Sequence, residues 1–371
     1  MRFHPFDLEH YQSQYERTVE YNLADSSVQC VNTRELISDV EAEELLNLDL
    51  YYPEVNGTEL LRSRIAALYS NATAANVLVT VGASEANNII CGALLAPEDE
   101  VIVISPGYRQ VWGLARNMGC TVKELELRPE DNWRLDLDRL ESLCSAATKM
   151  VSVVNPNNPT GSILSPEEMS RVAQMCEKHG CWLHADEVYR GTEFNAPETP
   201  SFWGKYDKTI CVNSLSKAYG LAGLRIGWAV AAPRVIEALW RRHEYAVIAA
   251  SGPGMKLAEI ALRSDKRKML LERQKSLSAT GHRILQEWIA GQNRAFSIVK
   301  PAASSIAFVR YHFGGSSLEV AEHIRKSSSV LVAPGIFLGT EHHLRMCVGY
   351  EEKKLQAALE RIGAAVGALA V

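Results

Sequence analysis

The sequence predicts an α/β fold, a mainly parallel sheet covered by helices on both faces, with a smaller α+β part after it. Two observations carry this. Short apolar runs rich in β-branched residues follow one another: VLVTVG, EVIVISP, MVSVVNP, CWLHADE, TICVNSLS and IGWAVA. Between most of them lie stretches with helical spacing, such as SEANNIICGALL and SPEEMSRVAQMCEKHG. Strands that are continuously apolar are buried on both faces, and their alternation with helices is the pattern of a parallel sheet.

The remaining elements follow in order. Leu8, Tyr11, Tyr15 and Val19 are spaced for one face of a short helix. NGTELLRSRIAALYS reads as an amphipathic helix entered through a turn at Asn56-Gly57. A long helical region runs from Pro233 to Ala290, and the rest is mixed α+β, with strands near SSIAFVR and HLRMCVGY. The change from large to small domain falls within residues 265–285, inside a long helix. The expected division is an N-terminal arm over 1–40, a large domain over 41–275 and a small domain over 276–371.

Composition narrows the function. The 371 residues are 47% hydrophobic and 22% charged, with a net charge of −5, so neither a nucleic acid nor an anionic membrane is an expected partner. The opening MRFHPFDLEHYQ has no apolar core of a signal peptide. No apolar run approaches the roughly 18–20 residues that cross a bilayer. Eight scattered cysteines without a C-x-x-C pair read as free thiols of a reducing compartment. His342 and His343 are adjacent, but nothing completes a zinc pattern around them. A cytoplasmic enzyme is the expectation.

In open parallel sheets ligands sit beyond the carboxyl ends of the strands. Polar residues gather at five such ends: Ala83-Ser84, Tyr108, Asn155 to Gly161, Asp186 to Tyr189, and Ser214 to Lys217. VGASEANN is either an anion cradle at a helix N-terminus or a plain turn capped by Ser84. Neither G-x-x-x-x-G-K-[ST] nor G-x-G-x-x-G occurs, so a phosphate here is not held by either loop. Asp186, where a strand leaves the sheet, needs a partner: a ligand ring N–H⁺ or a structural cation. Tyr189 is three residues on and could reach the same ligand. The turn VVNPNNPTGSIL fixes the backbone around Asn158, and Tyr108 is a rim aromatic or a stacking platform. Lys217, desolvated and near cationic groups, is suited to Schiff-base chemistry. Ser214, Ser216 and Arg225 are suited to an anion. Pyridoxal 5'-phosphate (PLP) is the molecule that asks for all of these together.

These motifs, NPNNPTG, DEVY and S-x-S-K with an arginine eight residues after the lysine, resemble the class I/II aminotransferases of PLP fold type I. The resemblance runs from about Asn22 to the C-terminus and implies a seven-stranded large-domain sheet. It implies that Lys217 is the Schiff-base lysine, Asp186 the partner of the pyridine nitrogen, and Asn158 and Tyr189 the partners of the phenolic oxygen. Tyr108 matches the ring-stacking aromatic, while Ala83, Ser84, Ser214, Ser216 and Arg225 match phosphate positions. YYPEVNGTELLR resembles the segment whose tyrosine, here Tyr52, reaches the phosphate of the neighbouring subunit. HLRMCVGY resembles the segment whose arginine, here Arg345, grips the substrate carboxylate. The implied protein is a homodimeric aminotransferase taking an α-amino acid and a keto acid acceptor.

A PLP-dependent lyase, cyclase or amine oxidase of a natural-product pathway is the alternative within the fold. LSKAYGLAGLRIGW is also similar to the capreomycidine-synthase-like enzymes. A silent PLP-fold binding protein is disfavoured by the intact Lys217, Asp186 and Arg225. Arg109, beside Tyr108, is offered both as a cation for a dicarboxylate side chain and as an ordinary surface charge.

Overall fold

The computed structural model describes residues 3–367. Its central sheet has seven strands: β1 (Val77–Thr80), β2 (Glu100–Ser105), β3 (Thr121–Glu126), β4 (Thr148–Val154), β5 (Trp182–Asp186), β6 (Thr209–Ser214) and β7 (Gly227–Val230). Their spatial order is β1-β7-β6-β5-β4-β2-β3. β7 is antiparallel to both its neighbours, and the other pairings are parallel. Six strands coincide with the apolar runs. β3, TVKELE, was not among them because it is an edge strand, half-buried, and needs no continuous apolar stretch.

The strands bury both faces by simple alternation. Val77 and Val79 of β1 join one core and Leu78 the other; Val151 against Met150 in β4, and Cys211 against Ile210 in β6, divide the same way. Helices cover the two layers. After α1 (Asp7–Tyr15) come α2 (Glu59–Ala66), capped by the Thr58 hydroxyl, and α3 (Gly82–Leu94). α4 (Gln110–Asn117) is followed by α5 (Pro166–His179). Both ends of α5 are written in its sequence: Ser165 and Glu168 form a capping box, Pro166 opens the first turn, and Gly180 ends the helix at φ +66°. The long helical region resolves into α6 (Pro233–Ala246), α7 (Gly252–Ala261) and α8 (Ser264–Ala290).

Beyond α8 a four-stranded antiparallel sheet forms from β8 (Phe296–Ile298), β9 (Ile306–Tyr311), β10 (Ala333–Pro334) and β11 (His343–Cys347), in the order β10-β11-β9-β8. α9 (Ser317–Ser328) and α10 (Glu352–Val366) share its core through Ile324, Leu355, Leu359 and Ile362. Tyr21–Asn22 pairs in parallel with Val330–Leu331, tying the N-terminal segment to this part. α1 packs there too, through Leu8 and Tyr11 against Phe308, Leu331 and Leu338. Among the described residues no helix is long and apolar enough to cross a membrane.

α8 passes very close to the chain leaving β11. A Cβ at Gly281 would lie 1.8 Å from the Val348 carbonyl oxygen, so only glycine fits. Gly281→Ala should therefore destabilise the protein by about 3 kcal/mol, the upper range for overpacking. Chemical denaturation followed by circular dichroism measures this; an alanine variant as stable as the parent would mean the helix shifts freely away from β11.

Candidate active site

The carboxyl ends of β1, β2, β4, β5 and β6 share one edge of the sheet, and a cavity of about 530 Å³ lies against it. Ala83, Ser84, Tyr108, Asn158, Asp186, Tyr189, Ser214, Ser216, Lys217 and Arg225 all line this cavity. Tyr52 and Arg345 do not.

Asp186 ends β5 and is 4% exposed. Its Oδ1 accepts from the Val188 N–H at 3.2 Å and its Oδ2 from the Asn87 amide at 3.5 Å. Burial pushes the carboxyl up to about 6, against these two donors, which lower it. It forms no ion pair among the described residues. Asn87, one turn into α3, is itself held. Its Oδ1 meets His184 Nε2 at 2.9 Å, and His184 Nδ1 meets the Ser152 hydroxyl at 2.9 Å. Burial pushes the His184 ring down to about 4, so it is neutral. The tautomer consistent with the network donates from Nε2 to Asn87 and accepts from Ser152 at Nδ1. The Asn87 amide then has its hydrogens for Gln110 Oε1, at 3.0 Å, and Asp186. Asn87 and His184 were not among the sequence candidates. Their signals were present: Asn87 lies three residues after Ser84, and His184 two before Asp186, on the same side of β5.

Lys217 donates to the Ser26 hydroxyl at 2.8 Å, and Tyr189 donates to the Ser26 carbonyl at 2.9 Å. Ser27 donates to the Ser216 carbonyl at 2.5 Å. The segment LADSS thus crosses the lysine loop from nearly 200 positions away in the chain, a placement no local pattern announces. Burial raises the Tyr189 phenol above its ordinary range. Tyr108 donates to Glu9 Oε1 at 2.9 Å, and its ring lies 5.1 Å from that of Phe6.

The other end of the cavity is cationic. Gly82 opens α3 at φ +74°, and a Cβ there would sit 2.5 Å from Arg225 Nη2. Gly227 lets β7 approach equally closely, since its Cβ would be 2.4 Å from the Gly82 carbonyl carbon. Arg225 itself is held in the left-handed region at φ +52°, and Nη1 donates to the Ala222 carbonyl at 3.2 Å. Its remaining donors, the first-turn N–H groups of α3 and the hydroxyls of Ser214 and Ser216 face a common space.

Arg345 lies on β11, 1% exposed, behind Asn158. Nη1 donates to Asn158 Oδ1 at 3.2 Å and Nη2 to the Ala24 carbonyl at 2.7 Å, while Nε has no partner among the described residues. Tyr52 is 70% exposed on the molecular surface, edge-on to Tyr51. Arg109 is not among the residues that line this cavity. It is bound to both oxygens of Glu124, at 3.0 and 3.1 Å, with its guanidinium over Trp112, and it faces away from this cavity.

The family of class I and II aminotransferases matches residues 20–362. This chain belongs to that family. The chain is similar to capreomycidine synthase of Streptomyces vinaceus, 28% identical over 84% of this chain and 79% of that protein. It is similar to the arginine–pyruvate transaminase of Pseudomonas aeruginosa, 31% identical over 51% of this chain and 50% of that one. A PLP-dependent aminotransferase structure from Streptococcus suis superposes with a TM-score of 0.93 at 27% identity, covering 100% of this chain and 99% of that one. The family is PLP-dependent, and this cavity fits the cofactor. A buried carboxyl lacks a cation at one end, a glycine-walled cradle with an arginine stands at the other, and a lysine amine lies between.

Asp186 gives a pH signature in cofactor-free protein. Its carboxyl holds a proton more tightly folded than unfolded, where it titrates near about 3.9. Ionising it in the cavity costs stability that is absent below about pH 4, grows as pH rises, and is complete above about 6. Two pH units correspond to about 3 kcal/mol. Asp186→Asn should match the parent near pH 4 and exceed its urea stability by about 2–3 kcal/mol at pH 7. Parallel pH profiles would show that the carboxylate is already compensated.

Proposed function

We propose that this chain is a PLP-dependent aminotransferase that moves the amino group of an α-amino acid to a keto acid, working as a cytoplasmic homodimer. The observation that carries the reading is the convergence of Lys217, Asp186 and Arg225 on one cavity. Bound PLP supplies an electron sink for charge developing at the substrate Cα.

The protein's own part is placement and proton movement. Asp186 keeps a proton on the ring nitrogen, and Asn87, supported by His184, keeps the carboxylate aimed. Asn158 and Tyr189 would meet the phenolic oxygen, and Tyr108 would stack on the ring. The α3 N–H groups at Ala83 and Ser84, the hydroxyls of Ser214 and Ser216, and Arg225 hold the phosphate. Lys217 Nζ would hold the cofactor's aldehyde carbon and, once free, would move a proton at the substrate Cα as general base and acid. Ser26, 2.8 Å from Nζ, steers that amine. Arg345 grips the substrate carboxylate, a role supported by its buried, unpartnered Nε.

Tyr52 reaches the phosphate of the neighbouring subunit. Leu46, Leu50, Tyr51 and Tyr52 are each at least 70% exposed, a run of apolar surface that supports a second copy covering it. The free, mostly buried cysteines support a reducing compartment.

A second reading is favoured by the likeness to capreomycidine synthase: the same residues could serve a lyase or cyclase. Donor-only turnover separates the two. With an amino acid and no acceptor, one equivalent of keto acid should form per site and stop, and a keto acid should then reset the protein. Lys217→Ala should abolish this, and borohydride should fix the cofactor on Lys217 in the parent. Repeated acceptor-free turnovers would replace the transaminase reading with the lyase or cyclase one.

A further inference from the structure

We propose that the cavity selects an amino acid with a positively charged side chain, and that Asp25 is the residue that reads the charge. The inference rests on the function proposed above and deepens it.

The cofactor residues occupy the sheet side of the cavity. Its other wall comes from α1 and the segment around residue 25, through Glu9, Gln12, Glu16, Arg17, Asp25 and Ser26. Three of these carry carboxylates and one is a cation. Arg17 does little to balance them: its side chain is 91% exposed, and its contact with Glu16 is 3.7 Å long. Arg109 is spent on Glu124 outside the cavity, and the cavity's other cations, Lys217 and Arg225, belong to the cofactor side. A substrate with a distal carboxylate would face three like charges in a partly desolvated space, whereas an ammonium or guanidinium would meet its complement.

Asp25 has the decisive position. It stands between Ala24, whose carbonyl accepts from Arg345, and Ser26, whose hydroxyl holds Lys217 Nζ. Arg345, with its buried Nε unpartnered, and Lys217 mark the carboxylate and amine ends of an α-amino acid. A side chain on the carbon between those ends would enter the part of the cavity that Asp25 lines. The Asp25 carboxylate is held rigidly, because Oδ1 accepts from the N–H groups of Ser26 at 2.6 Å and Ser27 at 3.1 Å. No basic side chain pairs with it among the described residues. Glu9, oriented by the Tyr108 hydroxyl, and Glu16 extend the negative field to the mouth.

The test is a spectral titration of the holoenzyme at equilibrium, with dissociation constants read from the cofactor's absorbance change. Arginine is compared with neutral citrulline, lysine with norleucine, and glutamate with all four. In at least one pair the cation should bind about tenfold or more tightly, the value of one hydrogen bond to a charged group. Glutamate should bind weakest. Asp25→Asn keeps an oxygen for the two backbone N–H groups and should bring that ratio close to one, with the neutral partner's affinity unchanged. Glu16→Gln, which no backbone cap depends on, should lower the same ratio in part. Equal binding within both pairs, a preference for glutamate, or a ratio that survives Asp25→Asn would overturn the proposal and leave the amino acid chemistry standing. A spectrum that responds to no amino acid would overturn the proposed function, and this inference with it.

Discussion

A carboxylate at the buried end of a central strand organises this protein. Asp186 sits where β5 leaves the middle of the sheet, shielded from water and without an ion-pair partner among the described residues. Such a group is unfavourable in a folded chain unless a ligand supplies the missing charge. The surrounding structure keeps it aimed rather than neutralised: a backbone N–H from Val188, and an amide from Asn87 that His184 and Ser152 hold in turn. That neutral chain of hydrogen bonds adds direction without adding a competing positive charge.

The opposite end of the cavity inverts the arrangement. There a helix N-terminus, two hydroxyls and a guanidinium are gathered with no carboxylate paired to Arg225 among the described residues. Close approach makes the gathering possible. Gly82 and Gly227 let β7, the start of α3 and Arg225 approach within distances that any Cβ would block. One end thus waits for a cation and the other for an anion, with the Lys217 amine between them. The spacing of three strand ends fixes the separation, which is why a sheet rather than a mobile loop carries the chemistry. The third wall, from α1 and residues 24–27, is the part free to differ with the substrate, since it holds none of the strand-end groups.

Much of this was legible in the sequence, for a physical reason. Buried parallel strands need unbroken apolar runs, so six of seven strands and the polar residues at their ends could be read locally. β3 escaped because an edge strand tolerates lysine and glutamate on its open side. Helix boundaries at α5 were explicit in Ser165, Pro166 and Gly180, whereas the continuous helical pattern after Pro233 hid two breaks, at 247–251 and 262–263. What the sequence could not reveal were contacts between distant segments. Ser26 meets Lys217 from 191 positions away in the chain, Arg345 reaches Asn158 from β11, and Arg109 turns to Glu124. Motif spacing assigns a residue type to a place, but only the fold decides which of two neighbours, Tyr108 or Arg109, faces the cavity.

The central claim is that Asp186 remains ionised and holds a proton on the cofactor ring nitrogen. Nitrogen-15 NMR of the protein loaded with ring-labelled PLP reads that proton directly. At pH 8 the account predicts a protonated ring nitrogen in the parent and an unprotonated one in Asp186→Asn. An unprotonated nitrogen in the parent, or a protonated one in both, would contradict it.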